Sequence, residues 1–108
     1  MSGPALTVDD LYDVLSDWHR RRLLWQLLDG GPSGGLDVPA ELPTRDETER
    51  TARVQFHHVH LPKLEACALV EFDEAENLLT RGPMFDRTEP LLSVLREREH
   101  QTPLPEAT

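Results

Sequence analysis

The chain has 108 residues and a formal net charge of −9, from 20 acidic and 11 basic side chains of which only Lys63 is a lysine. That length suits one domain with a modest core, and Leu, Val and Phe exceed the roughly 20 % below which a strongly charged chain stays disordered. The lone Cys67 excludes an internal disulfide and an all-cysteine zinc site. Apolar runs are too short to span a membrane, and residues 1–10 lack the basic start and apolar stretch of a secretory signal, so a cytoplasmic protein off the membrane is expected.

Leu11, Val14, Leu15 and Trp18 fit one helical face, and Leu23, Leu24, Leu27 and Leu28 a second, out of phase with the first. With Ser16 as cap and Asp17 in a first turn, helices are predicted over 8–15 and 17–28, with both Trp18 and Trp25 in the core. A glycine-rich loop follows, and Pro39 and Pro43 limit residues 36–42 to about one helical turn. Thr44 and Glu47 have the spacing of a capping box, which predicts a helix from there to about Cys67. Its inner face is Val54, Leu61, Leu64 and Ala68, with His58 at the same angle and a kink near residues 58–61 caused by Pro62. Residues 69–72 and 78–80 read as strands around a turn, and residues 89–99 as a last helix with Leu91, Leu92 and Leu95 on one stripe. The domain then spans 9–99, with flexible ends at 1–8 and 100–108.

Charge is unevenly spread along this order. Residues 1–18 and 65–79 carry acids and no bases, whereas 50–64 carry Arg50, Arg53 and Lys63 and no carboxylate. Arg50, Arg53, His57 and His60 share one face of a straight α-helix, offering hydrogen-bonding tips that a major groove accepts. A solvated helix face has the same pattern. His57, His58, His60, Cys67 and Glu71 are metal-ligand types, but His58 points away from the face of His57 and His60, and Cys67 suits burial. No metal or cofactor is therefore expected. No enzyme is expected either, because neither a phosphate-cradling loop nor a nucleophile–base spacing is present.

The pattern Leu11-x-x-x-Leu15-Ser16-Asp17-x-x-Arg20-Arg21-x-x-Leu24-x-x-Leu27 resembles the opening of ArsR-like winged helix-turn-helix proteins. The run from His60-Leu61 through Leu64 to Leu69-Val70 resembles their junction of recognition helix and wing. With His58 and Pro62-Lys63 included, it is closer still to a haloarchaeal winged-helix family of uncharacterised function. The resemblance covers about residues 9–80. It implies an α+β, mainly helical winged helix-turn-helix with a two-stranded wing at 69–80 and an extra C-terminal helix. It makes one of Arg20, Arg21 and Arg22 structural, paired with an acid of the first helix. Two departures stand out: the supporting helix before the recognition helix is shortened, and Ala68 replaces the usual glycine.

The function so implied is that of a transcription regulator on double-stranded DNA, a homodimer through its terminal helices. Arg50, Arg53, His57, His60 and Lys63 are the expected groove contacts, with Arg81 on a phosphate. The competing expectation is a protein-interaction module on the same scaffold without DNA binding. Net −9 is compatible with DNA in a cytoplasm of molar salt, where screening acts over about 3 Å.

Overall fold

A computed structural model describes residues 6–101, so the outer parts of the ends expected to be flexible, 1–5 and 102–108, lie outside the described residues. Helix α1 (Val8–Leu15) begins where Thr7 and Asp10 cap each other: the Asp10 N–H donates to Thr7 Oγ1 at 3.0 Å and the Thr7 N–H to Asp10 Oδ2 at 3.1 Å. Helix α2 (Trp18–Asp29) starts at Asp17, whose Oδ1 accepts from the N–H groups of His19 and Arg20. The predicted break between two helices is present, with the cap one residue past Ser16.

Strand β1 (Gly35–Asp37) was not expected. It pairs with β3 (Leu78–Arg81), which pairs in turn with β2 (Val70–Asp73), in the antiparallel order β1-β3-β2. The expected two-stranded wing is therefore part of a three-stranded sheet in which Leu79 lies opposite both Leu36 and Phe72. Asp73 Oδ1 accepts from the Ala75 and Glu76 N–H groups in the hairpin turn, and Asn77 takes the left-handed conformation at φ +52 that asparagine tolerates. Between β1 and the next helix only a single turn forms, closed by the Glu41 N–H on the Asp37 carbonyl at 2.8 Å.

Helix α3 (Glu49–Gln55) continues through a π turn (Phe56–His60) into α4 (Leu61–Ala66). Its cap is Thr48, which accepts from the Thr51 N–H, and not the predicted Thr44–Glu47 box. Glu47 has been drawn elsewhere: it accepts from the Arg45 N–H and from His19. The π turn ends two residues before Pro62, where the kink was expected. Proline cannot donate to the His58 carbonyl and its ring would crowd it; the wider turn puts Pro62 at the start of a fresh helical segment, where no donor is needed. One extra residue per turn also rotates everything N-terminal to it. Phase counted back from Leu61 and Leu64 at 3.6 residues per turn selects Val54, whereas the structure buries Phe56 and Ala52 and leaves Val54 and His58 exposed.

Helix α4 ends in a Schellman arrangement: the Leu69 N–H donates to the Leu64 carbonyl at 3.1 Å and the Ala68 N–H to that of Glu65 at 2.9 Å. Ala68 sits at φ +56, the left-handed position the sequence gives to a residue other than glycine. Gly82 packs against this end so closely that a Cβ on it would lie 2.5 Å from the Ala68 carbonyl oxygen. Helix α5 (Phe85–Gln101) starts earlier than the predicted residue 89 because Phe85 is buried and anchors its first turn, with Pro90 tolerated inside. The core joins Val14, Leu23, Leu24, Leu27, Phe56, Leu64, Leu79, Phe85 and Leu92. Trp25 belongs to it, whereas Trp18 is only half-buried, with the guanidinium groups of Arg22 and Arg45 at 5.2 and 5.3 Å from its ring centroid. Among the described residues no helix is long and apolar enough to cross a membrane.

Candidate functional site

Arginine placement divides the molecule. Helix α1 ends without a basic residue in its last turn, so its terminal carbonyls and dipole need a cation from elsewhere. Arg20 supplies one. It is 5 % exposed, and it donates from Nε to the Val14 carbonyl at 2.9 Å and from a terminal nitrogen to that of Asp13 at 2.9 Å. Arg21 donates to the Leu15 carbonyl at 2.7 Å and to Glu99 of α5 at 2.9 Å. The expected structural arginine is thus found: Arg20 bonds first-helix carbonyls, and its charge also acts on Asp13 of that helix. Burial alone would raise the Glu99 carboxyl; the Trp25 indole N–H at 2.8 Å and the Arg21 charge outweigh it and hold the group below the usual carboxylate range.

Arg81 repeats the pattern at the other end of α2. Its guanidinium reaches the carbonyls of Leu27 and Leu28, pairs with Glu89 at 3.2 Å and lies over the Phe85 ring. With 6 % of its side chain exposed, it is not placed to touch a phosphate as the sequence suggested. His60 is corrected as well. The π turn rotates it inward to 5 % exposure, so it leaves the stripe of Arg50, Arg53 and His57. Lys63 remains exposed, but its ammonium is 2.7 Å from Asp13, whose carboxyl it holds below the ordinary value.

Arg50, Arg53 and His57 remain outward on α3 and the π turn. Among the described residues neither arginine has a hydrogen bond or ion pair. The His57 ring meets Phe72 of β2 edge-on, with centroids 5.7 Å apart, which makes this face continuous with the hairpin. The hairpin itself is acidic, with Glu71, Asp73, Glu74 and Glu76 all exposed.

Behind this face lies a polar cluster that sequence reading missed. The His19 Nε2–H donates to Glu47 at 3.0 Å, while His19 Nδ1 is 3.4 Å from Asp17. The His60 ring stacks on that of His19, with centroids 5.5 Å apart, and its Nδ1 accepts from Arg20 at 3.1 Å. Burial, ahead of all else, lowers the His60 pKa, with the Asp17 carboxylate pulling it back up and the Arg20 charge pushing it down. Asp17, His19, Glu47 and His60 line a pocket of about 180 Å³ together with Thr51, Ala52 and Gln55. The contact of residue 19 with residues 47 and 60 had no local signal, because three separate segments supply it. The ligand-type residues considered from the sequence do not assemble: Cys67 is buried with its thiol pushed up by that burial, and His57, His58 and Glu71 are exposed.

Residues 12–80 match the family described as a domain of unknown function, DUF7344. The match covers more than half of the chain, which belongs to that family. No curated protein and no solved structure shows significant similarity to it.

Proposed function

We propose that this DUF7344 chain is a winged-helix regulator of transcription that docks the outer face of α3 and the π turn in a DNA major groove through Arg50, Arg53 and His57. The observation that carries the reading is the pair of arginines without partners among the described residues, one helical turn apart. Most other arginines of this acidic chain are drawn into capping, ion pairs or ring contacts. A helix of this kind followed at once by an antiparallel hairpin also agrees with the resemblance to ArsR-like and haloarchaeal winged-helix proteins. Contacts come from the helix alone, since phosphates repel the four exposed acids of the hairpin.

Two cations per subunit release about two counterions, giving a salt slope near −2 per subunit, so affinity leans on base contacts and shape. This suits molar salt. Selection of bound duplexes from a random pool, in 2 M KCl, is expected to enrich one motif, and the double variant Arg53→Ala/His57→Ala to lose at least about tenfold in affinity for it. An unchanged affinity in that variant discards the assigned face.

Exposed apolar side chains favour a second surface. Val8 and Tyr12 on α1 are 66 % and 69 % exposed, and Leu91 and Val94 on α5 are 46 % and 57 % exposed. Arg21 ties the ends of these two helices together. They form the homodimer contact in this proposal, and light scattering is expected to give a dimer that Tyr12→Glu/Leu91→Glu converts to a monomer. A dimer in solution with no enriched DNA motif selects the interaction-module reading instead.

A further inference from the structure

We propose that Asp17, His19 and His60 bind a zinc ion, with Glu47 orienting His19 from behind. Donor atoms of the three side chains lie within 4.8 Å of one another, at the start of α2 and the end of the π turn. His19 stands between two carboxylates: Glu47 at Nε2 and Asp17 at Nδ1. A neutral imidazole has one N–H. With that proton on Nε2 for Glu47, Nδ1 is the nitrogen that can ligate an ion held between it and Asp17. Carboxylate, histidine and metal in line is the usual way a ligating imidazole is aimed and made more basic.

The geometry near Asp17 already suits a small tetrahedral ion. Zinc–nitrogen and zinc–oxygen bonds of about 2.0–2.2 Å place adjacent tetrahedral donors roughly 3.4 Å apart, and Asp17 and His19 are 3.4 Å apart. The oxygen at that distance is Oδ1, which also accepts the capping N–H groups of His19 and Arg20, so one atom serves both the helix cap and the ion. His60 lies over the His19 ring, with centroids 5.5 Å apart, so its ring has to turn to aim Nε2 at the same ion. Ligation through its Nε2 puts the ring proton on Nδ1, so Arg20 gives up that contact and keeps its bonds to the carbonyls of Asp13 and Val14. The adjoining pocket admits a water as fourth ligand. Two imidazoles and a carboxylate select zinc over magnesium or calcium, which need more oxygen donors. Bound there, the ion ties the start of α2 to the π turn and, through Glu47, to the loop that occupies the place of a supporting helix.

The test uses the full, tag-free chain stripped with a chelator and titrated with zinc sulfate at pH 7.5. One equivalent is expected to bind, and the melting midpoint to rise by on the order of 10 °C at free zinc about a hundredfold above Kd. Magnesium is expected to leave it unchanged, and cobalt(II) to give the visible absorption of a four-coordinate site. His19→Ala is expected to abolish the shift, Glu47→Gln to weaken binding about 10–100-fold, and His57→Ala/His58→Ala to leave it intact. His19→Gln keeps an amide donor for Glu47 and serves if the alanine variant unfolds. The site is overturned by the absence of saturable zinc binding, by a shift that survives loss of the His19 imidazole, or by one lost with His57 and His58.

Discussion

At the junction of α1 and α2, and beneath the end of α2, arginines point into the protein; on α3 they point out. Arg20, Arg21 and Arg81 each donate to helix-terminal carbonyls contributed by a different element. Arg50 and Arg53 donate to nothing among the described residues. The difference teaches that net charge says little about a surface when the cations are unevenly employed. It also gives the Ser16-Asp17-x-x-Arg20-Arg21 pattern a physical meaning. Asp17 starts α2, and the two arginines one turn later end α1, so the pattern encodes a helix junction and not a contact with DNA.

The largest test of this division is removal of an inward arginine. Arg20→Ala leaves the Asp13 and Val14 carbonyls without their charged donor, and Arg81→Ala does the same to Leu27 and Leu28. Each is expected to cost about 2–4 kcal/mol in urea denaturation. A loss under about 0.5 kcal/mol, the ordinary range for a surface change, would remove these residues from the inward class.

Glu99 joins the two inward partners Arg21 and Trp25 to α5, and a smaller effect is expected there. Glu99→Gln turns charge-assisted bonds into neutral ones, a loss of about 1 kcal/mol. Its pH signature is distinctive. The folded carboxyl lies below its ordinary 4.5, so its contribution is complete above the unfolded value and disappears as pH falls through the folded one. The variant is therefore expected to be less stable than the parent at neutral pH and to converge with it in acid. Parallel curves down to the acid limit count against the Glu99 pairing.

Much of the fold was legible because it rests on local chemistry. The α1–α2 break follows from a change of apolar phase and an aspartate cap, and the hairpin from two short apolar runs around an acidic turn. What was hidden was non-local or aperiodic. Nothing near Glu47 indicates that His19, 28 residues away, will take its carboxylate from the capping box. Nor does a 3.6-residue period contain the extra residue of the π turn, and that one residue moves His60 from the outer stripe into the polar cluster. Pro62 was the available signal: it marked the place of the irregularity but not its form. Arg50, Arg53 and His57 are outward all the same, because the rotated inner face takes up Ala52 and Phe56 and leaves these three exposed.

Ala68 offers a change of opposite sign at the hinge between α4 and the hairpin. Its φ of +56 costs an L-residue with a Cβ about 1 kcal/mol that glycine escapes. Ala68→Gly is accordingly expected to stabilise the chain by about that amount, since both Schellman bonds remain.

The smallest effect on stability belongs to the outward arginines, and it is the one that links the comparison to function. Arg50→Ala/Arg53→Ala removes no hydrogen bond or ion pair among the described residues, so urea denaturation is expected to move by less than about 0.5 kcal/mol. In a chain where Arg20, Arg21 and Arg81 hold helix ends and Arg96 an ion pair, a pair kept without such work is free to act on something outside the molecule. If the double variant instead destabilises as strongly as Arg20→Ala, these side chains have an internal role, and the outward face of α3 loses its claim to DNA.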